Sequence, residues 1–156
     1  MSSNDQILEL LRKAYMMEVE TVTNYLANSI HLDGVQAEEI KRALADDVSE
    51  ELGHARQLAE RITQLGGRIP GSLELDRSQE LLQPPIESIN VEAVVDGVIE
   101  AESEAIAHYR LIVETTDDFD FVTQNLAIKL MADEEQHCRQ FEGFRAGFQG
   151  EALVAS

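Results

Sequence analysis

The chain has 156 residues, enough for one domain with a real core and too few for two. Thirty acidic side chains against twelve basic ones leave a formal charge of −18, a field that repels nucleic acid and anionic membrane and draws in cations. No apolar run reaches membrane-spanning length. The single cysteine, Cys138, can build neither an intrachain disulfide nor a thiolate metal cage. The opening Met-Ser-Ser-Asn-Asp-Gln carries no basic cluster of the kind found in a DNA-gripping arm or at the start of a signal peptide. The expectation is a cytoplasmic protein without nucleic-acid or membrane partners.

Abundant Ala, Leu, Glu and Gln, with few aromatic residues and prolines, predict an all-α fold. Apolar positions stepping by threes and fours predict four amphipathic helices, at about 5–30, 37–65, 91–114 and 119–149. Asp5 is the predicted N-cap of the first, and His31-Leu32-Asp33-Gly34 ends it. Gly66-Gly67 stops the second. Residues 66–90 contain Pro70, Gly71, Pro84 and Pro85, so this stretch is a long connection rather than a continuous helix. Thr115-Thr116-Asp117-Asp118 turns the third helix into the fourth, and the residues beyond about 149 are expected to fray. Short links imply antiparallel neighbours, while the long middle link implies a crossover running the length of the bundle. The predicted architecture is therefore an antiparallel four-helix bundle of one domain, residues 1–156, in which the second and third helices point the same way.

The halves echo each other. Glu51-Leu-Gly-His54-Ala-Arg56-Gln57 resembles Glu134-Glu-Gln-His137-Cys-Arg139-Gln140, and Glu18 with Tyr25 matches Glu102 with Tyr109 at a near-constant offset. Each Glu-x-x-His step puts its two side chains on one helical face. Those faces are apolar elsewhere. Ile40, Leu44, Leu58 and Ile62 flank Glu51 and His54, with Asp47 one turn before. Leu126, Leu130, Phe141, Phe144 and Phe148 flank Glu134 and His137. Leu8, Leu11, Tyr15, Val22 and Tyr25 surround Glu18, and Val95, Val98, Ala105, Tyr109 and Ile112 surround Glu102. Four glutamates thus interrupt four core stripes near mid-height, where unpaired carboxylates cost several kcal/mol each. Two divalent cations balance them, because four carboxylates and two neutral imidazoles around two M²⁺ ions sum to zero charge. Such oxygen and nitrogen donors suit iron, with manganese as the alternative. One Glu-x-x-His in so acidic a chain is weak. Two on core stripes, each preceded by a lone in-stripe glutamate, make the ligand set of a dinuclear centre in a helical bundle.

The remaining polar residues sort by stripe. Glu20, Glu50, Glu100, Glu104 and Glu135 lie off the stripes and are expected in solvent. Asp47 and Glu50 are also candidates to edge a route by which cations reach the centre. His31 at a helix end and His108 off the third stripe read as surface residues, and Cys138 as structural. Tyr25 and Tyr109 each stand about 10 Å along the axis from their own helix's glutamate. Either they orient a carboxylate on an antiparallel partner, or they are core tyrosines whose hydroxyls find any acceptor.

On Glu18 with Tyr25, Glu51-x-x-His54, Glu102 and Glu134-x-x-His137, the chain resembles the ferritin-like superfamily, in particular its bacterioferritin and Dps-like branches. The resemblance covers essentially all four helices. It implies a di-iron ferroxidase centre that oxidises Fe(II) with oxygen or hydrogen peroxide, in a homo-oligomer that stores ferric mineral. It also implies that each histidine binds one iron and that two glutamates bridge the pair. Three departures matter. Leu52 stands where bacterioferritins carry a haem-ligating methionine, which argues against haem there. The lysine-rich tail of DNA-binding Dps proteins is absent, and the ligand set is complete within one chain. Ala105 and the lone cysteine set the chain apart from rubrerythrins. The tail after the fourth helix is short for a fifth, which argues against a 24-subunit shell. Two other readings stay open: a di-iron or di-manganese enzyme that consumes peroxide without storage, and a helical scaffold that binds metal only for stability.

Overall fold

The computed structural model describes residues 2–155; Met1 and Ser156, the ends of the predicted domain, lie outside it. Its helices are α1 (Ser3–His31), α2 (Glu38–Gln64), α3 (Val91–Thr115) and α4 (Phe121–Ala155), and no strand occurs among the described residues. Helices α1 and α2 form one hairpin, and α3 and α4 form the other. Tyr25 of α1 bonds Glu102 of α3, and Tyr109 of α3 bonds Glu18 of α1. Each tyrosine lies C-terminal to its own helix's glutamate, so this exchange requires α1 and α3 to run antiparallel. Since α2 reverses α1, helices α2 and α3 share a direction, as the long crossover predicted.

The ends differ from expectation in ways that capping chemistry explains. Ser2, not Asp5, caps α1. Its hydroxyl accepts from Asp5 N–H at 3.1 Å, and the Asp5 carboxylate accepts from Ser2 N–H at 3.0 Å. This reciprocal box uses two of the free donors of the first turn. Helix α4 starts two residues late, after a turn in which Asp118 takes φ +55°. Asp120 then accepts from Thr123 N–H at 3.0 Å and from the Arg61 guanidinium at 2.9 and 3.1 Å. At the far end, α4 does not stop near 149 but continues to Ala155. Phe144 and Phe148 pack on the core, and Glu151 accepts from Gln36 at 2.9 Å.

Two apolar clusters hold the bundle. One gathers Tyr25, Leu32, Ile40, Leu44, Val95, Val98 and Phe141; the other gathers Ile7, Leu11, Leu58, Ile62, Tyr109, Ile112 and Leu130. A polar layer separates them. Each fully buried Leu, Ile or Phe contributes about 1.5–3 kcal/mol, so the clusters carry the cost of the layer between them. No helix among the described residues is long and apolar enough to cross a membrane.

The crossover contains two short 3₁₀ turns, Ser72–Glu74 and Glu80–Leu82, and is pinned to α1. Glu20, expected in solvent, instead accepts from the backbone N–H groups of Ser78 (2.9 Å) and Gln79 (3.0 Å). Asn28 donates to the Leu82 carbonyl at 2.8 Å. On the other side the crossover touches α3 at Gly97, where an added Cβ would sit 2.3 Å from the Leu81 carbonyl oxygen. Backbone cannot yield as a side-chain tip does. Gly97→Ala is therefore expected to destabilise the fold by about 1–3 kcal/mol despite its better helix propensity; urea unfolding would measure it, and an unchanged midpoint would refute the tight approach.

Candidate metal centre

The polar layer is made by one side-chain group from each helix. Glu18 comes from α1, Glu51 and His54 from α2, Glu102 from α3, and Glu134 and His137 from α4. None is more than 4 % exposed. The i, i+3 steps aim each histidine and its own glutamate at the bundle axis. His54 Nδ1 lies 3.0 Å from Glu134 Oε1, 3.4 Å from Glu51 Oε2 and 3.8 Å from Glu18 Oε1. His137 Nδ1 lies 2.9 Å from Glu51 Oε1, 3.5 Å from Glu134 Oε2 and 3.8 Å from Glu102 Oε1. Glu51 and Glu134 thus face both histidines, whereas Glu18 and Glu102 each face one. The imidazole rings are near parallel, with centroids 6.3 Å apart.

Donor atoms of Glu18, Glu51, His54 and Glu134 fall within 4.8 Å of one another, and so do those of Glu51, Glu102, Glu134 and His137. Two overlapping four-residue clusters that share two carboxylates have the form of a dinuclear site. The hydrogen bonding tests the fit. Both oxygens of Glu51, Glu134 Oε2 and His137 Nδ1 are buried without a hydrogen bond. A native core rarely leaves so many polar atoms unsatisfied in one place. Cations between them would meet every one of these needs.

In the metal-free protein, protons must compensate instead. Burial, reinforced by the neighbouring Glu51, pushes Glu18 up to about 8. Burial and the charges of Glu18 and Glu102 also hold Glu134 well above the usual carboxylate range. For the histidines, burial opposes charge. It is outweighed by Glu134, Glu18 and Glu51 around His54, and by Glu102, Glu134 and Glu51 around His137, so both are raised. Metal binding must therefore expel protons.

Around this layer lie further partners. The Tyr25 hydroxyl donates to Glu102 Oε1 and that of Tyr109 to Glu18 Oε1; these are the two glutamates that face a single histidine. On the outward side His54 Nε2 lies 3.0 Å from Asp133 Oδ2, and His137 Nε2 lies 2.8 Å from Glu50 Oε2 and 3.5 Å from Asp47 Oδ1. Burial lifts Asp47 to about 7. Glu50 is exposed, as expected, and its carboxylate also reaches a histidine of the centre. Asp133 is absent from the sequence reading altogether. A signal existed, for an acid immediately precedes the glutamate of each Glu-x-x-His step, and each such acid meets the other helix's histidine. His108 is likewise not at the surface. It is 7 % exposed and bonds the Leu10 carbonyl at 2.8 Å, and burial lowers its pKa. His31 is exposed, beside the Pro85 carbonyl. Cys138 is buried, facing Ser103 and Glu142 rather than the cluster. Leu52 points outward, 58 % exposed.

Residues 8–149 match the ferritin-like domain. The chain belongs to the ferritin-like family. It is 30 % identical over 165 residues to the DNA protection during starvation protein of Pyrococcus furiosus, spanning 97 % of this chain and 88 % of that protein. Among solved structures it is similar to the bacterioferritin-related protein of Bacteroides fragilis, described as a dodecameric thioferritin. The TM-score there is 0.83 at 21 % identity, over 97 % of this chain and 90 % of the other. A Dps protein from Vibrio cholerae O1 gives 0.80 at 16 % identity, over 91 % and 90 % of the two chains. A ferritin-like, diiron-carboxylate protein from Bacillus anthracis gives 0.77 at 23 %, over 91 % and 97 %. These likenesses bear out the four-helix architecture and the bacterioferritin and Dps-like kinship. The buried Glu/His cluster is that of a metal-binding ferritin-like protein.

Proposed function

We propose that this chain is a ferroxidase that binds two Fe(II) ions within one subunit and passes their electrons to oxygen or hydrogen peroxide. The reading rests on one observation above all: four buried glutamates and two histidines whose donor atoms converge at mid-bundle, with both oxygens of Glu51, Glu134 Oε2 and His137 Nδ1 left without a hydrogen bond. Glu51 and Glu134 would bridge the two ions, with Glu18 and His54 on one and Glu102 and His137 on the other. Tyr25 and Tyr109 would fix the orientation of the terminal glutamates. With peroxide as oxidant, two ferrous ions supply two electrons, two protons are consumed, and the O–O bond breaks to give two waters. The apolar clusters on either side keep bulk water from the layer, so the charges there interact strongly.

The product is expected to stay with the protein. The charge of −18 draws cations to the surface, and the kinship with dodecamer-forming and Dps proteins supports a cytoplasmic homo-oligomer that stores ferric mineral and limits iron toxicity. Manganese could occupy the same donors. Aerobic loading should yield a large assembly holding many more irons than its two-per-chain sites. Light scattering and iron analysis on one sample would measure this. A dimer that retains only the site's own metals would shift the reading to a non-storage di-metal peroxidase.

A further inference from the structure

A groove lies between α1 and the crossover, and none of the six glutamates and histidines of the metal centre lines it. Its wider part encloses about 800 Å³, within the roughly 300–1,000 Å³ of small-molecule pockets. A narrower part of about 320 Å³ continues it toward Met16 and Lys13. Glu20, Asp76 and Arg77 border both parts, so the two are contiguous.

The walls are fixed before any ligand arrives. Glu20 accepts from the backbone N–H groups of Ser78 and Gln79 at 2.9 and 3.0 Å, which occupies its carboxylate with the crossover backbone. Asn24, 6 % exposed, donates to Gln79 Oε1 at 2.9 Å. Arg12 ties Glu74 of the crossover to α1 at 3.0 Å. A preformed pocket loses little ordering entropy on binding.

The lining changes character along its length. At the narrow end, Lys13 and Arg77 form no ion pair among the described residues, although Asp76 borders the same space. Two unpaired cations on one small pocket suit the head group of an anion. Between the ends, Met16 and Met17 stand on the narrow side and Val19, Leu73 and Leu75 on the wide side. Thioethers pack well on aromatic rings, and the Leu73 side chain is fully exposed until something covers it. At the wide end are Thr23, Asn24 and Gln83, groups that both donate and accept. The Asn24 amide oxygen accepts only a long bond from Gln83, at 3.4 Å, so it has capacity to spare. Lys13 and Asn24 stand three turns apart on one face of α1, about 16 Å along the axis. A ring with hydrogen-bonding edges, joined to an anionic head by a short chain, matches both the order and the spacing of these groups.

We propose that the groove between α1 and the crossover binds a heteroaromatic organic anion, its phosphate or carboxylate head between Lys13 and Arg77 and its ring edge at Asn24 and Gln83. The site is independent of the metal centre and of the ferroxidase reading.

Flavin mononucleotide is the probe, because it joins an amide-edged ring to a phosphate through a chain of suitable length. Fluorescence titration and calorimetry on the assembled protein should show saturable binding of one molecule per chain. Riboflavin, which lacks the phosphate, should bind at least tenfold more weakly. Lys13→Ala and Arg77→Ala should each weaken the mononucleotide at least fivefold and leave riboflavin unchanged. Thr23→Trp, at an exposed position of α1, should fill the wide end and abolish binding of both, with helix content by circular dichroism unaltered. Absence of saturable binding would overturn the proposal, and so would equal affinity for the two flavins or binding that survives Thr23→Trp. If Thr23→Trp instead breaks up the assembly, as read by light scattering, the groove is a contact between copies and the ligand site is refuted.

Discussion

Alanine at either His54 or His137 is expected to reduce bound metal from two ions per chain to one and to slow Fe(II) oxidation by more than about a hundredfold. Removing a mere outer partner of a metal ligand already costs about 10–100-fold, and here a ligand itself is lost. In the metal-free chain each imidazole also faces three of the four inner glutamates, so its removal leaves their repulsion uncompensated and should lower the stability of that form. Stopped-flow oxidation and metal analysis would be compared with Asp133→Asn and Glu50→Gln, which spare Nδ1 but replace the charged partner of the outward nitrogen with a neutral amide. Those variants should fall between wild type and the alanine variants. Undiminished oxidation in both alanine variants would end the ferroxidase assignment.

The second large effect is the dependence of stability on pH and metal. Glu18 moves from 4.5 to about 8 on folding of the metal-free chain. The folded state then binds its proton more tightly than the unfolded one. Its contribution is complete below pH 4.5 and drains away as pH rises toward 8. The histidines act in the same sense, since their folded pKa values are raised above 6.5; their contribution is whole below 6.5 and lost at higher pH. Metal-free protein should therefore melt at progressively lower temperature between pH 5 and 8. Two cations reverse this by replacing the protons. At a hundred times Kd each site adds about 2.7 kcal/mol, and for a chain of this size two sites raise Tm by more than about 10 °C. Thermal scans with chelator and with Fe(II), Mn(II) or Zn(II) test both halves. Glu18→Gln separates the site from the general repulsion of an acidic chain, because it should flatten part of the metal-free pH trend. A metal-free Tm that ignores pH, or a Tm that none of the three ions moves, contradicts the buried-cluster argument.

Most of the centre was readable before any fold was known, because helical periodicity is local. A glutamate and a histidine three apart share a face whatever surrounds them, and apolar neighbours at the same spacing tell which face is inward. The crossover was equally legible, since prolines at 70, 84 and 85 cannot sit inside a helix. Helix ends were less so. Ser2 and Asp5 are both good caps, and only the reciprocal hydrogen bonds decide that Asp5 stands inside the helix.

What lies between helices could not be read along one of them. Asp133 precedes Glu134 on α4, off that helix's apolar stripe, yet it meets His54 because of how α4 is rotated against α2. Glu50 meets His137 by the same relation. His108 is off its own helix's stripe but is covered where α1 passes over α3. The exchange of Tyr25 and Tyr109 between Glu102 and Glu18 needs the antiparallel register of α1 and α3. The sequence by itself determined four amphipathic helices, their order and the six inward Glu and His residues, since each depends on spacing along a single chain segment. Only the tertiary structure decided which glutamates face both histidines and which acids hold the histidines from outside. Those relations depend on the rotation and offset of one helix against another, and no periodicity within a helix encodes them.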